Sequence, residues 1–114
     1  MAKTLGEKIK EARQVEIKVG EITFIARRAT FEELLAYANK QITDPEISRL
    51  HIVGWFGVKE SDLLEGGTDE QVLFDKALFD DVIGDHQEWW LFIANGVTSK
   101  AMESITEKAD SKKK

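Results

Sequence analysis

The sequence I-V-G-W-F-G at residues 52–57 is the segment from which the fold of this chain is best interpreted. Its two glycines, Gly54 and Gly57, flank Trp55 and Phe56. Because glycine adopts positive φ and lets backbones approach closely, we expect a sharp bend here, with both aromatic rings packed against the body. No metal-binding box, nucleophile motif or phosphate-binding loop accompanies the segment. The sequence therefore favours a function based on shape and contact over catalysis.

Two β-rich runs lie upstream of this segment. Residues 15–19 (VEIKV) alternate apolar and polar side chains, and residues 22–26 (ITFIA) follow after Gly20 and Glu21. A glycine at the first position of a two-residue connection predicts a hairpin with a type II′ turn. Since a lone hairpin is only marginally stable in water, we expect this one to pack on the rest of the domain.

About four helices are expected after the hairpin, and the first has the clearest pattern. Thr30 is its capping residue, and Glu33 stands at the spacing of a capping box. The helical period then predicts a single apolar stripe that faces the core. The members of this stripe are Phe31, Leu34, Leu35, Ala38 and Ile42.

The second helix is predicted from a capping residue followed by proline. Asp44 would cap a helix over residues 45–53, because proline is favoured at a first helical position. Ile47 and Leu50 would face inward, and Gly54 would end the helix.

Two further helices are expected in the C-terminal half. Asp75 is a suitable cap for a short helix as far as Ile83, with Gly84 at the stop position. Asp85 would then cap a longer last helix. Its apolar positions are Trp89, Trp90, Ile93, Val97, Ala101 and Ile105.

Length and composition bound the architecture. A chain of 114 residues with 42% hydrophobic residues is long enough for one domain around a single core. We expect an α+β, mostly α-helical domain over residues 15–106. Residues 1–14 would form a flexible arm or a short helix before it, and residues 107–114 a disordered basic tail after it.

The charge is distributed unevenly. The net charge is −5, but residues 14–98 carry sixteen acidic and seven basic groups, whereas both ends are basic. An acidic body disfavours nucleic-acid binding; it is typical either of plain solubility or of a basic partner. The chain has no cysteine, no apolar stretch near the length of about 20 residues that a membrane helix needs, and no secretory h-region. We therefore expect a cytosolic protein without membrane contact.

Few residues offer catalytic or metal chemistry. His51 is interpreted as a packing histidine beside the Gly-Trp segment. His86 lies near acidic residues that could hold a divalent cation, although carboxylates are also favoured at a helix N-terminus. Two histidines and no cysteine leave no catalytic triad to propose. We predict no catalytic residue, no cofactor and no metal site. The acidic residues near His86 are Asp80, Asp81, Asp85 and Glu88.

The order of these segments resembles the tail assembly chaperones of long-tailed (siphovirus-type) phages and prophages. A hairpin is followed by R-R-A-T-F-E-E-L-L-A-Y, then V-G-W-F-G-V-K-E-S-D-L-L, then V-L-F-D-K-A-L-F-D-D-V-I, and finally an aromatic-bearing helix. The resemblance covers roughly residues 15–100. The residues that carry it are Val53, Gly54, Trp55, Gly57 and Val58, and then Phe74, Leu78 and Phe79. Phe56 departs from the family pattern, in which a polar residue is commoner.

The resemblance implies a binding function without a reaction. Such chaperones bind the tape-measure protein in the host cytoplasm, keep it soluble and promote polymerisation of the major tail-tube protein around it. They are oligomeric and absent from the mature virion. Many also exist in a longer form made by ribosomal frameshifting near the end of the short reading frame. The three lysines at residues 112–114 would suit an A-rich slippery stretch at that place. The alternatives are a structural phage protein, either a head–tail connector or a minor tail component, and an unrelated small enzyme or regulator.

Aromatic side chains are the candidate partner contacts, because they supply the most contact energy per residue. Trp89 and Trp90 are adjacent on a helix and point about 100° apart, so one can enter the core while the other faces a neighbouring element or a subunit. The unpaired edge of the hairpin, residues 15–26, is a second candidate surface. The aromatic candidates are Trp55, Phe56, Trp89, Trp90 and Phe92.

Overall fold

The structure, a computed structural model, describes residues 2–112, and it describes side chains as far as Glu103. Over this part the chain folds as one α+β domain with six α-helices and three strands. The elements are α1 (Leu5–Ala12), β1 (Gln14–Val19), β2 (Ile22–Arg27), α2 (Phe31–Lys40), α3 (Asp44–His51), β3 (Ile52–Phe56), α4 (Glu60–Leu63), α5 (Lys76–Val82), a 3₁₀ turn (Ile83–Asp85) and α6 (Gln87–Lys112).

The predicted hairpin is confirmed. β1 and β2 pair antiparallel from Gln14↔Arg27 to Val19↔Ile22, so Gly20 and Glu21 form a two-residue connection. Gly20 has a φ of 62°, whereas Glu21 keeps a negative φ. A positive φ at the first turn residue alone is the signature of a type II′ turn.

The bend expected at residues 52–57 is largely wrong, because residues 52–56 form a third strand. β3 pairs antiparallel with β2, which gives a sheet of order β1-β2-β3. The pairing shifts by one residue between Ile25 and Ala26, so Val53 lies opposite no residue of β2. α3 ends at His51 and the strand follows at once; Gly54 therefore ends no helix.

Only one of the two glycines in this segment is required by the backbone. Gly57 has a φ of 82°, and a Cβ there would lie 2.6 Å from the carbonyl oxygen of Glu21. A Cβ at Gly54 would meet nothing within 4 Å. Gly57 thus fixes the close approach between the end of β3 and the hairpin turn.

The core lies between one face of the sheet and the first half of α6. α6 crosses β1 so closely that a Cβ at Gly96 would lie 2.8 Å from Cγ1 of Ile17. Along the strands, residues of this face alternate with residues of the outer face, and in α6 the buried residues recur at the helical period. The buried apolar residues of these elements are Val15, Ile17, Val19, Ile22, Phe24, Ala26, Ile52, Trp55, Trp89, Ile93, Ala94, Val97 and Ala101.

Helix α2 begins as predicted, but its predicted apolar stripe is only partly turned to the core. Thr30 caps it, and Glu33 completes the capping box. However, Phe31 is 58% exposed and Leu35 is 51% exposed, so the stripe predicted to face the core lies largely in solvent. Two members of the predicted stripe, Leu34 and Ile42, do pack against the core, as does Tyr37.

The other helix boundaries differ from prediction by a few residues. Thr43 caps α3, with Asp44 and proline in its first turn, and Ile47 is buried while Leu50 is exposed. Asp75 caps α5 as expected. The residues predicted to stop that helix and to cap the last one, Gly84 and Asp85, lie together in the 3₁₀ turn.

The two ends have different outcomes. Residues 5–12 form the short helix α1, one of the two alternatives predicted for the N-terminal segment, and it buries none of its residues. The backbone of residues 107–112, predicted as part of a disordered tail, continues α6. Residues 113 and 114 and the side chains from residue 104 onward lie outside what the structure describes, so the rest of that prediction stays a prediction. None of the described helices is long and apolar enough to cross a membrane.

Candidate functional site

The two most buried aromatic candidates belong to the core. The indole Nε1 of Trp55 donates a hydrogen bond to the carbonyl oxygen of Val72 at 2.8 Å. The ring of Trp89 packs against Phe24, with a centroid distance of 5.2 Å, and His86 stacks on it at 4.0 Å. Both tryptophans therefore stabilise the fold, and neither presents a ring to a partner.

The other three aromatic candidates do not form one surface. Trp90 is half-buried against the core. Phe56 alternates with Trp55 along β3, so its exposed ring lies on the outer face of the sheet. Phe92 is exposed on the side of α6 that faces away from the sheet. Phe56 and Phe92 thus remain accessible, on opposite faces of the domain.

A groove runs along the outer side of α6. It has a volume of about 480 Å³. Leu91, Asn95 and Thr98 follow one another at i, i+4 and i+7 and therefore share one helix face. We call this feature the α6 groove; its lining residues are Asp44, Leu91, Phe92, Ala94, Asn95 and Thr98.

A second apolar surface lies on α2. Phe31, Leu35 and Ala38, at i, i+4 and i+7, form an exposed row along the helix, which we call the α2 stripe. The helical period predicts this row as part of a stripe that faces the core, and for these three residues the prediction is wrong. No local signal distinguishes the two assignments, because an apolar face at helical spacing is typical of both.

A partly buried ion pair helps to fix which face of α2 turns inward. The guanidinium of Arg27 on β2 donates to both carboxylate oxygens of Glu33, at 2.7 and 3.0 Å. The backbone N–H of Thr30 donates to the same carboxylate at 3.0 Å. The Arg27 hydrogen bonds lower the pKa of Glu33 to about 2, and the same pairing raises the pKa of Arg27.

His51 extends this network to the end of α3. Its Nδ1 donates to the carbonyl oxygen of Arg27 at 2.7 Å, so in the neutral ring Nε2 accepts from the hydroxyl of Tyr37 at 2.5 Å. Burial lowers the pKa of His51, and burial also raises the pKa of Tyr37 to about 12. We call Arg27, Glu33, Tyr37 and His51 the polar network.

The polar network is structural in character. His51 is 1% exposed and both of its ring nitrogens have partners. A general base needs an open approach for the proton that it removes, and this ring has none. The network instead ties β2, α2 and α3 together, in agreement with the interpretation of His51 as a packing residue.

Two further features considered in the sequence were a metal site near His86 and an unpaired edge of the hairpin. Within the described part of the chain, no three histidine or acidic side chains are grouped so that they could hold a metal ion. β2 is paired on both sides, so the hairpin does not offer it as an edge, and the outer strands of the described sheet are β1 and β3.

The segments that carry the family resemblance meet in space. Trp55 lies in β3, and its ring contacts Phe74 and Phe79 with centroid distances of 5.3 and 6.2 Å. The two sequence motifs thus pack against each other in the core. In comparisons with protein-family models, curated proteins and solved structures, the chain gives no match.

Proposed function

We propose that this protein is a tail assembly chaperone of a long-tailed phage or prophage. It binds the tape-measure protein in the host cytoplasm, keeps it soluble and promotes polymerisation of the tail tube around it. The observation that carries the proposal is the α2 stripe, an apolar helix face that the fold leaves in solvent. The identity of the partner is supported by the ordered sequence motifs described above.

The spacing of the α2 stripe suits a helical partner. Phe31, Leu35 and Ala38 form a row about 11 Å long, since each helical residue advances about 1.5 Å. Such a row accommodates the apolar face of one amphipathic helix, in the way that helices dock along hydrophobic surfaces. A tape-measure protein, long and helical, would offer many such faces in succession.

Charge adds a requirement for the partner helix. Residues 14–98 carry sixteen acidic and seven basic groups, and the exposed Glu32 lies beside Phe31 at the start of the α2 stripe. A helix whose apolar face is edged by lysine or arginine therefore complements this surface. Such rim charges act mainly on specificity and association rate.

The binding energy is expected to come from repetition. Three side chains bury far less area than a stable interface of about 1,600 Å², so one copy alone would bind weakly. Several copies along one long partner gain avidity without any new contact. Weak and repeated contacts also allow the tail-tube protein to displace the chaperone.

The proposal is tested by coexpression with the tape-measure protein and a pull-down through a tag on the chaperone. The variant Phe31→Glu/Leu35→Glu places two charges on the α2 stripe and is expected to reduce recovery of the partner at least about tenfold, because two central apolar contacts are lost. Leu73→Glu, at a position 88% exposed outside the stripe, is the matched control and should retain the partner. Equal recovery by both variants would contradict the proposal.

Purified phage particles distinguish the structural alternative. A head–tail connector or minor tail component would copurify with virions, whereas the chaperone is released before the tail is finished. Finding the chain in purified particles at a fixed copy number would replace the chaperone assignment with the structural one.

A further inference from the structure

Helix α1 is shorter than a helix that is stable alone. It spans eight residues, whereas isolated helices below about 12–15 residues are marginal in water. Thr4 caps it, and its side chain accepts a hydrogen bond from the backbone N–H of Glu7. Yet Leu5 is 73% and Ile9 is 42% exposed. Burial of these apolar side chains against another surface would supply the stabilisation that α1 lacks.

The charges of α1 are arranged around an apolar row. Leu5, Ile9 and Ala12 lie at i, i+4 and i+7, and at about 100° per residue Lys8 and Arg13 fall on the two borders of that row. Glu7 and Glu11 fall on the opposite side of the helix, where Glu11 pairs with Lys3. The face that α1 offers to a partner is thus apolar with basic borders.

The α6 groove has the complementary character. Leu91, Asn95 and Thr98 span about 11 Å along α6, close to the length of about 12 Å of α1. Asp44 lies on one border of the groove. Glu88 lies one turn before Leu91 on the same side of α6 and is exposed. The groove therefore offers a mixed floor with acidic borders: its apolar lining residues are Leu91, Phe92 and Ala94, and its polar ones are Asn95 and Thr98.

We propose that α1 of one copy of this protein docks in the α6 groove of a second copy. The occupant is a second copy because α1 is joined to β1 through Arg13 alone. β1 packs against the inner side of α6, where Ile17 meets Gly96, whereas the groove opens on the outer side. The α1 helix therefore leaves β1 on the inner side of α6 and does not reach the groove on the outer side of the same chain.

The contact joins two different surfaces and therefore repeats from copy to copy. Each molecule offers one α1 and one groove, so association is head-to-tail and produces rings or open spirals instead of closed dimers. This deepens the proposed function, on which it rests for its biological meaning, since an array of copies would supply the avidity that the α2 stripe needs.

The absence of cysteine from the chain allows a site-directed crosslinking test with the full-length protein. Ile9→Cys and Asn95→Cys are purified separately, mixed and oxidised with oxidised glutathione. We expect a disulfide-linked heterodimer to form at least about tenfold faster than in the control mixture of Ile9→Cys with Leu73→Cys, because docking raises the local thiol concentration. Equal rates in the two mixtures would overturn the proposal.

The double variant Ile9→Cys/Asn95→Cys distinguishes docking between copies from docking within one copy. Docking between copies produces a ladder of disulfide-linked oligomers. A disulfide-closed monomer as the main product would instead show that α1 fills its own groove, and would overturn the proposal.

Sedimentation of the unmodified protein supplies an independent readout. Ile9→Glu is expected to weaken self-association about tenfold or more while circular dichroism of the remaining helices is retained, since Ile9 is not buried in its own chain. Unchanged sedimentation of this variant would contradict the docking. A protein that stays monomeric yet still solubilises the tape-measure protein would remove this inference and leave the proposed function in place.

Discussion

Two regions hold the helices of this domain to its sheet, and they do so by different physics. Around Trp55 the contact is apolar, with Phe74, Phe79 and Trp89 against one another. Around His51 the contact is the polar network, in which an ion pair and a buried imidazole occupy the interface. Because polar groups occupy much of the inner face of α2, Phe31 and Leu35 are left on its outer face. A helix held to a domain by hydrogen bonds can thus keep an apolar face exposed to solvent.

The largest effect is expected at the apolar region. Trp55→Ala removes a buried ring and the hydrogen bond of its Nε1 to Val72, and should lower the free energy of unfolding by about 3–5 kcal/mol. Phe56→Ala, the adjacent exposed aromatic, is the control and should cost less than about 1 kcal/mol. Urea denaturation measures both; similar losses would show that the two rings are not on opposite faces of the sheet.

A smaller loss is expected when the polar network is broken. Glu33→Gln keeps the shape of the side chain but leaves the Arg27 guanidinium without its ionised partner, and should cost about 1–2 kcal/mol. Glu32→Gln changes the neighbouring exposed carboxylate and should leave the urea midpoint nearly unchanged. If Glu33→Gln were as stable as Glu32→Gln, the ion pair would not be what orients α2.

The two regions should also differ in their response to acid. Burial lowers the pKa of His51 below its ordinary value of 6.5. As the pH falls below 6.5, His51 is therefore protonated in the unfolded chain before it is protonated in the folded chain. Stability contributed by the neutral ring is present above pH 6.5 and is lost as the pH falls through this window, by up to about 1.4 kcal/mol per pH unit. Below the ordinary pKa of 4.5 for Glu33, a second loss begins and continues towards its folded value of about 2.

Urea midpoints measured from pH 7.5 to 5 test the histidine part of this expectation. The wild type should lose stability over that range, whereas His51→Gln, although less stable at pH 7.5, should show a flatter profile. Parallel profiles would assign the acid sensitivity to groups outside the polar network.

The smallest stability effect is expected at the α2 stripe. Leu35→Glu replaces an exposed leucine with a good helix former, so the free energy of unfolding should change by less than about 0.5 kcal/mol. A thermal melt by circular dichroism, with Leu73→Glu beside it, measures this change. A loss above about 2 kcal/mol would mean that Leu35 is buried, and the α2 stripe would then not be a free surface.

What the sequence could predict follows from the range of the interactions concerned. The type II′ turn at Gly20 and the capping box of Thr30 depend on neighbours within a few residues, and both were predicted. The orientation of α2 depends on Arg27 and on His51, which lies 14 residues from Tyr37. The apolar period alone therefore does not show that Phe31 and Leu35 turn to solvent while Leu34 stays on the core.

The aromatic candidates show the same limit. Once residues 52–56 are known to be a strand, alternation places Trp55 inside and Phe56 outside. The sequence did not reveal that strand, because its five residues have a central glycine and its pairing with β2 is long-range. In α6, the position of the helix across the sheet likewise decides that Trp89 is buried and Phe92 is exposed.

The most direct test of the central claim is the soluble fraction of the tape-measure protein when it is expressed with and without this chain. We expect it to be mostly insoluble alone, soluble with the wild type, and again insoluble with Phe31→Glu/Leu35→Glu, while Leu73→Glu behaves as the wild type. A tape-measure protein whose solubility is the same in all four conditions would contradict the account.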